Sequence, residues 1–162
     1  LGQSDGLRFI TCRFGTIYGM SPGMRFHTAV NKFIWQACAG QALSVWRTAM
    51  DQKRPYLDLG DAVRALGFII DTDRFDGQIY NVLTSNATVG EIIEAIREFI
   101  PNVKTEFVDS PIMNQLSYSV LTDKFRKLGF SFRGDLRQGI RESIRLLSGA
   151  HATEAGRFRL AD

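Results

Sequence analysis

Residues 54–71 read RPYLDLGDAVRALGFIID. Pro55–Leu59 suits an extended segment. Gly60–Asp71 carries Ala62, Val63, Leu66, Ile69 and Ile70 at helical spacing, and these are expected to face inward. Asp58 stands where a helix cap belongs. Asp61 follows three residues later, at the positive end of the helix. An extended run passing directly into an amphipathic helix is the building unit of an α/β layer.

Outward from this stretch the same alternation continues. Leu7–Phe14 holds the compact apolar run Phe9, Ile10, Thr11, Cys12 and reads as a strand. Gly15–Gly23, with three glycines, Ser21 and Pro22, reads as a loop. From Thr28 to Ala39, Val30, Phe33, Ile34, Ala37 and Cys38 fall on one helical face, and Gly40 is the stop. Ala42–Trp46 is a short strand and Arg47–Lys53 a polar loop. Beyond the opening stretch, Gly77–Leu83 and Val103–Val108 are strands. Thr88 and Glu91 form a capping box ahead of Val89, Ile92, Ile93, Ile96 and Ile100, and Pro101 ends that helix. Thr122–Leu128 is a short helix closed by Gly129. Asp135 caps a last helix with a core face of Leu136, Ile140, Ile144 and Leu147 and an outward row of Arg137, Arg141 and Arg145. Residues 150–162 show no periodic pattern and read as a tail. The fold class is therefore α/β.

The 162 residues amount to one domain, or a domain with a small lobe. A hydrophobic share of 44% against 23% charged excludes a disordered chain. No run of eighteen apolar residues occurs, so no membrane span is expected. The net charge of +3 comes from scattered basic residues, which speaks against a nucleic-acid partner and suits an anionic small molecule. Cys12 and Cys38 do not make a disulfide framework and are expected as free thiols in a cytoplasmic protein. His27 and His151 have no cysteine partner at ligand spacing, so no metal site is expected.

Four segments offer chemistry. Arg13–Gly19 runs from a strand into glycines, where open α/β sheets place ligands; Thr16 offers a hydroxyl and the backbone of Gly15 to Ile17 a close approach. The same stretch also reads as an ordinary strand-to-turn junction. Arg54 begins an extended piece, and its planar guanidinium suits a phosphate, though a surface arginine is the plainer reading. Arg25 lies just before a helix start, where a cation and free amides suit an anion. Residues 113–118, with Asn114, Gln115, Ser117 and Tyr118, form a neutral hydrogen-bonding cluster in a loop.

In order, these pieces resemble one family. Arg13-x-x-Thr16-x-Tyr18-Gly19, the helix ending at Gly40, Leu43-Ser44-Val45-Trp46, Arg54-Pro55-Tyr56-Leu57-Asp58-Leu59-Gly60-Asp61-Ala62, Tyr80-Asn81-Val82, Thr88-Val89-Gly90-Glu91 and Lys124–Phe130 look like the C-terminal half of an extended short-chain dehydrogenase/reductase of the NAD-dependent nucleotide-sugar epimerase/dehydratase group. The resemblance runs from Leu7 to Leu147. It implies the last strands of a Rossmann-type sheet plus a small α/β substrate-binding lobe over residues 1–149, followed by the tail. It also implies substrate contacts at Arg54, Thr16, Arg25, Thr28, Tyr118 and Asn114, and cofactor contacts at Thr16, Ile17 and Tyr18. The implied partners are a nucleotide-sugar and a second copy of the chain.

Three departures qualify the resemblance. The family usually carries a second phosphate-gripping arginine near Asn114–Tyr118, and here no Arg or Lys occurs between Lys104 and Lys124. The family's catalytic Tyr precedes a Lys by four residues, whereas Pro22, Gly60, Thr84 and Thr122 follow Tyr18, Tyr56, Tyr80 and Tyr118 at that distance. The glycine loop that opens a helix after a first strand is also missing. The NAD-binding domain, NAD itself and the catalytic pair are therefore expected outside this chain. The alternative is a truncated homologue that serves as a non-enzymatic binding or interaction module.

Overall fold

The computed structural model describes residues 6–109 and 117–148, together with the strands at 150–152 and 158–160. The expected alternation is present. Strand β1 (Thr11–Phe14) is followed after one residue by β2 (Thr16–Tyr18), then helix α1 (Ala29–Cys38), β3 (Leu43–Trp46), a 3-10 turn at Arg47–Ala49, β4 (Lys53–Asp58) and α2 (Leu59–Asp71). Next come β5 (Ile79–Val82), β6 (Ser85–Thr88), α3 (Val89–Arg97), β7 (Thr105–Val108), α4 (Asp123–Arg126) and α5 (Leu136–Leu147). Strands β8 (Ala150–Ala152) and β9 (Phe158–Leu160) pair antiparallel.

The pairings are short and mostly parallel. β1 pairs with β5, β2 with β4 and β3 with β7, all parallel, while β4 and β6 run antiparallel. The chain changes partner at Gly15, whose amide bonds the Val82 carbonyl at 2.9 Å before β2 turns to β4. A Cβ at position 15 would stand 3.1 Å from both Leu83 Cβ and the Pro55 carbonyl, so a side chain there forces the neighbours to yield. The stretch read as a loop from Gly15 to Gly23 thus contains a strand. Three residues that carry no alternating pattern of their own are made extended by pairing with β4.

Two apolar cores result. One gathers α1, α3 and α5 around Tyr18, Leu43, Val45 and Tyr56. The other packs α2 and α4 on β5, with Phe125 fully buried and rings of Phe68, Phe130 and Phe132 around it at centroid distances of 5.0–6.2 Å. The predicted inward face of α2 needs correction. Ala62, Ala65 and Ile69 are buried with Asp61, but Val63, Leu66 and Ile70 are 63%, 48% and 67% exposed. The helix packs Ala62, Ala65 and Ile69 on the aromatic cluster beneath it, a face turned away from Val63, Leu66 and Ile70. Helix α3 stops at Arg97, short of Ile100, and β6 arises where no strand was expected. The tail likewise contains a strand pair that composition does not announce. The capping box of Thr88 and Glu91, and the caps at Asp58 and Asp135, are present as expected.

Candidate functional site

Helix α1 begins with unneutralised polarity. Its first turn holds no acidic residue, and Thr28, at the cap position, does not cap the free amides; its hydroxyl donates to the Arg25 carbonyl at 3.2 Å. Free amides and the helix dipole there favour an anion. Two concavities flank this helix start, one lined by Thr28 and the other by Ala29.

The first is a cleft of about 540 Å³ lined by Thr16, Ile17, Gly19, Ser21, Arg25 and Thr28. Four residues expected at a site from the sequence, Thr16, Ile17, Arg25 and Thr28, thus come together. Buried Asn31 braces this cleft. Its side-chain oxygen accepts from the Gly19 amide at 3.3 Å, and its amide nitrogen donates to the Arg25 carbonyl at 3.2 Å. One side chain therefore ties both ends of the 19–25 loop to α1. The Tyr18 side chain takes the opposite direction: it is fully buried, and its hydroxyl finds no hydrogen-bond partner among the described residues. Burial first, then the charges of Asp58, Asp135 and Asp61, push its pKa far above the ordinary phenol range.

The second concavity, about 170 Å³, is lined by His27, Lys32, Trp46, Gln52, Arg54 and Tyr56. Arg54 projects from β4, with its guanidinium bonded to the Lys53 carbonyl at 3.0 Å and to Gln52 Oε1 at 3.2 Å. Tyr118 covers it, ring centroid 5.0 Å from the guanidinium carbon. That stacking is set by a backbone clamp. The Lys53 amide donates to Ser117 Oγ at 2.9 Å, and the Tyr118 amide donates to the Lys53 carbonyl at 3.2 Å. Asn86 of β6 holds Val120 through two bonds, Nδ2 to the carbonyl at 3.0 Å and the amide to Oδ1 at 2.9 Å. Burial pushes Tyr56 up to about 12, partly opposed by Arg54, so it stays a neutral phenol at the cavity wall. Asn114 lies outside the described residues.

Sequence reasoning missed Lys32, Trp46 and Asn31, and set His27 aside. Trp46 is 42% exposed at the end of β3, and strand alternation after buried Leu43 and Val45 is the signal that placed it outward. Lys32 is four residues past the Thr28 cap, on the polar side of α1. Among the described residues no group of three or more His, Cys, Asp or Glu side chains could hold a metal, and no helix is long and apolar enough to cross a membrane.

A model of the NAD dependent epimerase/dehydratase family matches residues 1–82, just over half of the 162. The chain belongs to this family. It is 28% identical over 147 residues to the trifunctional UDP-glucose 4,6-dehydratase/UDP-4-keto-6-deoxy-D-glucose 3,5-epimerase/UDP-4-keto-L-rhamnose-reductase RHM1 of Arabidopsis thaliana, covering 88% of this chain and 21% of that protein. Its fold is similar to that of the UDP-glucuronic acid 4-epimerase of Bacillus cereus, solved with UDP-glucuronic acid and NAD: TM-score 0.79, 18% identity, 90% of this chain and 47% of that one. The UDP-glucose 4-epimerase of Thermus thermophilus, solved with NAD, superposes with TM-score 0.76 at 24% identity over 91% of this chain and 49% of that one. The chain therefore spans about half the length of these solved relatives and about a fifth of the plant protein. The architecture is the mixed α/β, largely parallel arrangement of Rossmann-type epimerases in this group.

Members of the family use NAD. The glycines beside the cleft do not form a dinucleotide-phosphate loop. Gly15 is tight against Leu83 and Pro55 and so serves strand packing, not a phosphate cradle. Gly19 and Gly23 lead into a loop and not directly into a helix N-terminus.

Proposed function

We infer that this chain is the substrate-holding part of a cytoplasmic NAD-dependent nucleotide-sugar epimerase or dehydratase, with the dinucleotide-binding loop and the catalytic Tyr–Lys pair supplied by residues beyond these 162. The observation that carries this reading is the second cavity. Arg54, stacked under Tyr118, shares its walls with Lys32, His27, Trp46 and Tyr56, and among the described residues no carboxylate lines it. Cations without competing carboxylates suit a phosphate, and an exposed tryptophan beside them suits a flat base. In this reading Arg54 binds the diphosphate. Thr16, Arg25 and Thr28 line the cleft toward the sugar and the nicotinamide, with Asn31 holding that cleft's loop in place. The family membership, and relatives solved with UDP-sugars and NAD, support the same assignment.

The test is calorimetric titration of the chain. UDP is expected to bind, and Arg54→Ala to weaken it about tenfold or more, the size of a lost charge-assisted contact. A loss under about threefold contradicts the role of Arg54. NAD is expected to show no dissociation constant below about 100 μM, near −5.5 kcal/mol; tighter binding contradicts the division of labour.

A further inference from the structure

The family's usual second arginine has no counterpart between residues 104 and 124, and the segment that reaches Arg54 brings only the neutral Ser117 and Tyr118. Arg25, another of the substrate contacts the resemblance implies, lines the other cleft. The cavity beside Arg54 does hold a further fixed cation. Lys32, half-buried in the first turns of α1, lines the same walls. Among the described residues its ammonium donates once, to the Ser44 carbonyl at 2.9 Å, and lies 5.7 Å from the Phe33 ring centroid. An ammonium has three protons to donate, so two are left for a ligand. Among the described residues no carboxylate pairs with Lys32, although most ion pairs of the molecule engage its arginines. Partial burial holds its pKa below the ordinary lysine range.

We propose that Lys32 is the second cation for the phosphate-bearing ligand held at Arg54, replacing from α1 the charge that the 104–124 segment lacks. This assignment rests on the reading of the cavity as a nucleotide-sugar site and specifies how a diphosphate is neutralised there. Lys32 delivers its charge from a helix rather than a loop. The Ser44 carbonyl, in the edge of β3 turned away from β7, fixes where the ammonium sits.

The probe is UDP, titrated calorimetrically into the chain carrying Lys32, Lys32→Met or Lys32→Arg. At about 50 mM salt Lys32→Met is expected to bind about tenfold more weakly, and Lys32→Arg to stay within about threefold. At about 500 mM salt, where the screening length is a few ångströms, the gap between Lys32 and Lys32→Met is expected to narrow to under about threefold. Circular dichroism melts report whether the variants fold. A Lys32→Met affinity within about twofold of the parent at low salt overturns the proposal. So does a gap that salt leaves unchanged, since that marks loss of the Ser44 contact and not of a charge. In both cases UDP still binds, so the reading of the cavity stands. Failure of the unaltered chain to bind UDP at all overturns both.

Discussion

Asp61 has no exposed surface, and donors from three parts of the chain converge on its carboxylate. The Arg64 guanidinium is paired with it, Thr84 Oγ1 donates at 2.7 Å, and the amides of Arg133 and Gly134 donate at 2.9 Å each. Thr84 Oγ1 in turn accepts from the Asp58 amide at 2.9 Å, so the start of α2, the β5–β6 junction and the approach to α5 meet at one charge. In the sequence Asp61 reads as a first-turn acidic residue that steadies a helix dipole. Its larger role was not legible, because its partners lie 23 and 72 residues away. Asp61→Ala strands a guanidinium, a hydroxyl and two amides. It is expected to destabilise the chain by about 3–5 kcal/mol in urea unfolding, against about 0.3–1 kcal/mol for the loss of an exposed first-turn charge.

At the scale of elements, α5 reaches the core only because residue 139 has no side chain. A Cβ there would lie 2.6 Å from Tyr18 Cε2, and one at Gly134 would lie 2.4 Å from Asp58 Cβ. Alanine is the better helix former by about 1 kcal/mol. Gly139→Ala is nonetheless expected to lower stability by about 1–3 kcal/mol through overpacking, visible as a lower urea midpoint at unchanged slope. Elements with a local signal were legible: α1, α3 and α5 from apolar periodicity, and α3 from its capping box. β2 and β6 were not. Ser85–Thr88 has no apolar alternation, and its extended state comes from pairing with β4 while Asn86 grips Val120.

At the scale of the whole molecule, the outward apolar surface is the unsettled feature. Val63, Leu66 and Ile70 form an exposed stripe on α2, and Leu7, Phe14 and Ile79 are 64%, 37% and 45% exposed on or near β1 and β5. Among the described residues β1 pairs only with β5, so one edge of each strand is open. Parallel sheets are ordinarily covered on both faces, and open apolar edges template other chains. The chain is therefore expected to form a dimer or larger assembly through these surfaces. Light scattering with size exclusion at micromolar concentration checks this; an 18.2 kDa monomer stable to dilution contradicts it.

What the sequence determined by itself was local and ordered: the strand–helix alternation, the caps, and a run of short motifs whose spacing pointed to the family. Those signals survive in one dimension because helix periodicity, capping and turn chemistry act within a few residues. The tertiary structure alone decided which cations share a cavity. Arg54 and Lys32 are 22 positions apart and line one pocket, while Arg25, closer to Lys32 in sequence, lines another. It also decided that α2 buries Ala62, Ala65 and Ile69 and exposes Val63, Leu66 and Ile70. The aromatic cluster built from Phe125, Phe130 and Phe132, more than fifty residues further on, fills the space beneath it, and a close-packed interior admits only what the remaining volume allows.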